Sequence, residues 1–473
     1  MSSGDRSLPA ETPPAGDQPS LRRSVGLVQM TLYGLGSMLG AGIYGLVGKA
    51  AGEMGNAVWL AFLASMVAAL LTGLSYASIG SRYPRAAGAA YVAQRAYRLP
   101  ALTYVVGLAV MCSGLTSVAT QSRVVAANLA GLPGLGALPA TALALGFLLL
   151  LAGVVLRGIR ECMWLNVVCT TVEALGLVLV IAVGVGYWGS VDLLETPPAV
   201  QGAAGQGVAG ESSLTVFLVL QGAVLTFFSF IGFEDTLNIA EEVKNPRRTI
   251  PLGIVAAMVG ATLIYMAVAV TAVSVVPWRE LAEAPGPLIE VVARAAPWFP
   301  PSVFLGVTLF AVTNTALLNY VTASRLAYGM ARQGLLPGAL GRVHAARRTP
   351  HVAVLALLVL MAGLVLLGDI AQLAAATVLL LLLVFTAVNG ALLVLKLRPG
   401  EPPGGFEVPA AIPALGAVVC AVLLVNRVVS GDWQAPALAG AILLAILALY
   451  LATGPDRVAE DETAPTTAPG EAD

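Results

Sequence analysis

Two adjacent carboxylates, Glu234 and Asp235, follow Gly232 and Phe233 inside a stretch that otherwise reads as apolar, TFFSFIGFEDTLNIAEEVKNPRRTIP over 226–251. An acid in the middle of a membrane-crossing run costs about 2.5–3.5 kcal/mol on insertion scales, so the pair calls for a task. Glu234 has three candidate tasks: holding a proton, meeting an amine, or accepting backbone N–H groups at a break in the helix. Asp235 reads as a cap for the half-helix that resumes beyond the break. Phe227, Phe228, Phe230 and Phe233 crowd around Gly232. Glycine among polar neighbours halfway across a membrane marks a discontinuous helix, tolerated only where it lines a cavity. A third carboxyl, Glu173, lies in the apolar run 162–189. It reads either as a neutral acid held inside a bundle or as a group that titrates.

A second glycine-rich stretch, GLGSMLGAGIYG, spans 34–45 with glycines at 34, 36, 40, 42 and 45. That density permits non-helical backbone, and Gly40, Gly42 and Gly232 are the glycines expected at a site. Ser113 and Thr116 could line a pocket, with packing as the default role. Glu241 and Glu242 read as a solvated face, with an ion pair to Arg82 or Arg85 as the other reading. Cys112, Cys162, Cys169 and Cys420 fall in apolar runs without metal-ligand spacing, and His344 and His351 have no further ligands nearby. No metal and no cofactor is expected.

Elements able to position these groups follow from composition. The 473 residues are 58% hydrophobic and 11% charged, against about 25% charged in soluble domains. That excess implies an all-α integral membrane protein in a lipid bilayer. The net charge of −1 argues against a nucleic-acid partner. Twelve membrane-spanning helices are read at 24–48, 55–80, 99–130, 137–156, 162–189, 212–241, 250–277, 300–331, 350–368, 370–395, 408–427 and 434–453. Residues 1–20 and the acidic 456–473 read as disordered tails around a membrane domain at 21–455. With the amino terminus inside, the outer side carries Lys49, Arg123, Arg279, Arg294 and Arg427, and the remaining 20 of the 25 basic residues lie inside. This asymmetry places both termini in the cytoplasm.

The glycine-rich breaks fall in helices 1 and 6. The start of one is five spans from the start of the other, an odd number, so the second copy of such a repeat is inserted upside down. The expected architecture is a 5+5 inverted repeat, 24–189 and 212–395, with two additional C-terminal helices over 408–453. Paired broken helices in inverted halves point to a transporter site.

At this point the sequence resembles the amino acid–polyamine–organocation (APC) superfamily of permeases, with a leucine-transporter-like fold. The resemblance rests on SMLGAGIY (37–44), RYPRAAGAAYVAQRAY (82–97), FFSFIGFEDTLNIAEEVKNPRRTIP (227–251), ASRLAYGMARQGLLP (323–337) and RTPHVA (348–353). It implies that a substrate carboxylate meets backbone amides near Gly40, Ala41 and Gly42. It also implies that an ammonium meets carbonyls near Met38, Phe228 and Ile231, that the Phe228 ring covers the substrate, and that Asn319 lines the pocket. Helix 5 of some members carries a lysine in place of a sodium ion, and by that alignment this chain has Glu173. Glu173 and Glu234 are the candidate coupling groups.

The resulting expectation is a secondary active transporter of amino acids in the cytoplasmic membrane, working by alternating access. It would be driven by an ion, with a proton favoured over sodium, or by exchange against a counter-substrate. No Walker-type phosphate loop is present, so ATP is not the expected driver. Alternatives are a polyamine or organic-cation transporter, or an amino acid-sensing transceptor. An enzyme is not expected, and whether a partner subunit exists stays open.

Overall fold

The computed structural model describes residues 25–84, 88–130, 137–197, 214–284, 286–332, 334–368, 370–429 and 433–453. The two tails, Arg85, Ala87 and Asp369 lie outside the described residues. The chain is helical throughout, in the order α1 (Leu27–Met38), α2 (Ala41–Met54), α3 (Val58–Arg82), α4 (Gly88–Tyr97), α5 (Pro100–Ala130), α6 (Ala140–Arg157), α7 (Ile159–Gly184) and α8 (Val216–Phe227). There follow α9 (Pro246–Val275), α10 (Trp278–Glu283), α11 (Pro287–Ala295), α12 (Pro301–Arg332), α13 (His351–Leu367), α14 (Ile370–Leu397), α15 (Ala411–Val429) and α16 (Gln434–Thr453).

Among the described residues, eight helical stretches are long and apolar enough to cross a membrane, and two shorter apolar helices, His351–Leu366 and Pro436–Ala452, accompany them. Leu149, Leu150, Trp164, Leu175, Leu263, Val359 and Leu444 are exposed on these helices. Such an apolar outer surface suits acyl chains and would aggregate in water. Inside, α3 runs against α9, and α5 is packed between α12 and α14. Small residues let α1 approach closely. A Cβ on Gly34 would lie 3.1 Å from Ala257 of α9.

Proline makes one junction instructive. Pro251 sits in the second turn of α9 and has no N–H for the carbonyl of Arg247. The Ser81 hydroxyl donates to that carbonyl instead, at 3.1 Å. Ser81 Oγ also accepts the Phe406 N–H at 2.8 Å, so one side chain joins the end of α3, the start of α9 and the connection between α14 and α15.

That connection carries an ion-pair latch. Glu407 pairs with Arg82 at 2.7 Å and with Lys396. Glu401 accepts from Arg95 Nε at 2.9 Å and from the Tyr83 hydroxyl at 2.8 Å. Arg82 is therefore engaged by Glu407. The side chains of Glu241 and Glu242 lie outside the described part of the structure. Burial pushes the Glu401 carboxyl up, but the hydrogen bonds from Tyr83 and Arg95 and their neighbouring charges outweigh it and hold it below the usual 4.5. Glu407 is likewise held low, since Lys396, Arg82 and the Gly404 N–H outweigh its desolvation.

Because both folded-state values are depressed, the latch contributes stability above pH 4.5 and loses it as pH falls through the folded values. Melting of purified protein in detergent is expected to be insensitive to these pairs between pH 8 and 5. Below that range the E401Q/E407Q protein should lose less than the wild type. Each pair contributes about 0.2–1 kcal/mol. Identical acid limbs in the two melting profiles would contradict this.

α4 is a short amphipathic helix beside α5 and α14. α10 and α11 fill the connection between α9 and α12, with Leu281, Leu288, Val291 and Val292 buried.

Candidate functional site

The first break lies at Leu39–Gly40, between α1 and α2. The second begins where α8 ends at Phe227. A 3-10 turn over Phe228–Phe230 follows, then Ile231 and Gly232, then a 3-10 helix over Phe233–Glu242. A ten-residue 3-10 run is unusually long; an α-helical resumption was the sequence expectation. Gly232 has φ of +127°, a conformation that L-residues rarely adopt.

The two breaks pack backbone against backbone. A Cβ on Gly232 would lie 2.6 Å from the Ser37 carbonyl carbon and oxygen, and one on Gly42 would lie 2.7 Å from Ser229 Cα. Short polar contacts fix the crossing. The Ser37 hydroxyl donates to Asp235 Oδ2 at 2.9 Å. The Tyr265 hydroxyl, from α9, is shared between the carbonyls of Met38 at 2.6 Å and Ser229 at 2.8 Å. Lys244 N–H reaches the Val25 carbonyl at 2.8 Å, so the start of α1 is also tied to the chain beyond the second break.

The aromatics crowding Gly232 divide by role. Phe233 stacks on Phe385 of α14 at 5.4 Å and meets Tyr76 of α3 edge-on at 5.5 Å. Phe230 meets the Tyr265 ring at 5.3 Å. Both are fully buried anchors of the break. The side chains of Phe228 and Ala41 lie outside the described part of the structure.

A cavity of about 250 Å³ opens at the crossing, lined by Ser37, Met38, Gly40 and Gly42 from the first break and Ile231 and Gly232 from the second. Its far wall comes from α5 (Ser113, Ser117, Thr120, Gln121, Val124, Asn128), α12 (Thr308, Val312, Thr315, Asn319) and α14 (Thr377, Leu381). Lys49, Gly286, Leu288 and Ile289 line it further along α2 and α11. Six residues expected at a site, Met38, Gly40, Gly42, Ile231, Gly232 and Asn319, therefore line one cavity. The first turn of α2 holds no acidic residue, and its N-cap, Gly40, makes no side-chain cap hydrogen bond. Free N–H groups and the positive end of the helix dipole leave that turn suited to a carboxylate.

The carboxyls stand apart from the lining. Glu234 turns back on its own loop, where Oε2 accepts the Gly232 N–H at 2.8 Å. Asp235 was expected as a cap, yet it takes the Ser37 hydroxyl, a partner 198 residues away. Glu173 is fully buried and neither of its oxygens has a hydrogen-bond partner among the described residues. The Tyr44 hydroxyl donates to the Glu173 backbone carbonyl at 3.0 Å. Earlier on α7, Thr170 and Asn166 crowd Gly36 of α1 together with Asn314 of α12. Asn314 of α12 donates to Thr170 Oγ1 at 2.9 Å and towards the Gly36 carbonyl at 3.4 Å.

Sequence reasoning missed Tyr265, Ser117 and Gln121. The α5 residues were findable: 113, 117, 120, 121, 124 and 128 recur at the helical period on one face. Tyr265 gave no signal beyond being a tyrosine in an apolar run.

Crossing broken helices around a cavity, in a bundle with an apolar outer surface, fit a multi-pass membrane protein, and the family and relatives that the chain matches are permeases and transporters rather than enzymes. Residues 25–450 match the amino acid permease family, and the chain belongs to it. It is 28% identical over 435 residues to the branched-chain amino acid permease BcaP of Bacillus subtilis, covering 86% of this chain and 88% of that protein. It is 30% identical over 402 residues to cationic amino acid transporter 4 of Mus musculus, covering 81% of this chain and 61% of the mouse protein. It is 28% identical over 448 residues to the methylthioribose transporter of Bacillus subtilis, covering 89% and 92%.

Proposed function

We propose that the protein is a secondary active transporter that carries an amino acid across the cytoplasmic membrane by alternating access. The observation that carries this reading is a cavity that both helix breaks line. In it the α-carboxylate would lie against the amides at Gly40, Ala41 and Gly42. The ammonium would lie at the carbonyls around Met38, Phe228 and Ile231. Met38 already accepts from Tyr265, and its second lone pair remains for the substrate. Asn319 would face the side chain from α12.

The architecture behind this reading is twelve spans, α1–α2 and α8 with the 3-10 helix counting as the two broken ones. The repeat is five and five spans, followed by α15 and α16. Both termini lie in the cytoplasm, which puts Lys49 and α11 at the outer mouth of the cavity and the Glu401–Glu407 latch on the inner side. The latch would hold the inner ends together while the cavity is open outward. A polyamine would need carboxylates around its ammonium groups, and none lines the cavity among the described residues.

Glu173 is the group we assign to the coupling proton, in preference to Glu234, which the Gly232 N–H already engages. An ionised carboxylate without a partner in that interior costs several kcal/mol. A proton on Glu173 removes the cost, and Asn314, which lies beside its carboxyl and reaches towards the Gly36 carbonyl, connects the group to α1. In proteoliposomes, an inward proton gradient is expected to stimulate uptake several-fold. Glu173→Gln should retain exchange against internal substrate and lose the stimulation. Gradient-driven uptake surviving in Glu173→Gln would remove Glu173 from coupling. Uptake that needs internal substrate alone would make the protein an exchanger.

A further inference from the structure

The far wall of the cavity contains a donor and an acceptor with no partner. Gln121 Nε2 donates to Ser117 Oγ at 2.9 Å, and Asn319 Nδ2 approaches the same oxygen at 3.4 Å. Both lone pairs of Ser117 Oγ are thus addressed, and its proton is left to donate elsewhere. Gln121 Oε1 has no partner among the described residues, although the residue is only 3% exposed. The two groups lie one helical turn apart on the cavity face of α5. They line the same cavity as the turn of α2 where the substrate carboxylate would sit.

From this geometry we infer that the cavity selects amino acids with uncharged polar side chains, namely serine, threonine, asparagine and glutamine. This rests on the amino acid transport reading above. A hydroxyl or carboxamide supplies one hydrogen to Gln121 Oε1 and one acceptor to Ser117 Oγ–H. An aliphatic side chain displaces water from both groups and gives nothing back. A site built to hydrogen-bond its ligand discriminates strongly against analogues that lack the bond. Arginine and lysine fare worse still, because Lys49 is the one charged side chain that lines the cavity among the described residues.

The test is competition against a radiolabelled mixture of the twenty amino acids for uptake into proteoliposomes. Serine, threonine, asparagine or glutamine is expected to compete at a concentration about tenfold or more below that of leucine or arginine. In Gln121→Leu the advantage over leucine should shrink by about tenfold, and Ser117→Ala should shift it the same way. Monodisperse elution of each variant establishes that it is folded. Leucine or arginine competing best in the wild type would overturn the selectivity while leaving amino acid transport standing. So would an advantage unchanged in both variants. Uptake of none of the twenty would instead overturn the transport reading beneath it.

Discussion

Gly42→Val is expected to abolish uptake while the protein still inserts and elutes as a single species. At this position even a Cβ would lie 2.7 Å from Ser229 Cα and 2.9 Å from Ser229 Oγ. The nearest of these atoms is backbone, which cannot rotate aside as a long side chain can. Relief requires the second break to move off the first. Overpacking of this kind costs about 1–3 kcal/mol, within what a multi-span bundle tolerates. The amides at the start of α2 are lost as a carboxylate site, because valine's methyl groups occupy the crossing. Gly146→Val is the matched control. Nothing lies within 4 Å of a Cβ there, so uptake should stay near wild type. Robust uptake by Gly42→Val would mean that the crossing of the breaks is not where substrate binds.

Tyr265→Phe should lower uptake by about tenfold to a hundredfold and reduce the melting temperature. The ring contacts with Phe62 at 5.7 Å and Phe230 at 5.3 Å survive the change, so packing is held nearly constant. What goes is the one hydroxyl shared by the carbonyls of Met38 and Ser229. A buried acceptor left without a partner costs about 1–3 kcal/mol. Here both belong to the breaks, so the cost falls on the shape of the site more than on the bundle. Uptake within about twofold of wild type would show that the carbonyls find other partners and that Tyr265 does not set the crossing.

The broken helices were legible because glycine clusters and charged residues are expensive inside a span and stand out against an apolar background. SMLGAGIY and FFSFIGFED both mark their breaks closely. What stayed hidden is long-range. Asp235 has the sequence signature of a helix cap, and only the fold brings Ser37 to it. Arg82 could have paired with any nearby acid, and its partner, Glu407, comes from 325 residues away. The α5 wall was read only as far as Ser113 and Thr116. Ser113 lines the cavity, whereas Thr116 is taken by Thr377 at 2.7 Å and by the Ser113 carbonyl. The 3-10 form of Phe233–Glu242 had no signal in the sequence, since its residues are compatible with an α-helix. α10 and α11 are too short to cross a bilayer, yet Leu288 and Ile289 of α11 line the cavity.

Substrate protection of a single thiol tests most directly the claim that both breaks enclose one amino acid site. Thr120→Cys, made in protein with Cys112, Cys162, Cys169 and Cys420 replaced by serine or alanine, places the thiol on the cavity face of α5. A membrane-impermeant thiol reagent should label it in proteoliposomes, and the amino acid that this variant transports should slow the labelling about tenfold or more at saturation. Labelling that proceeds at the same rate with and without a saturating transported amino acid would contradict the assignment of this cavity as the substrate site.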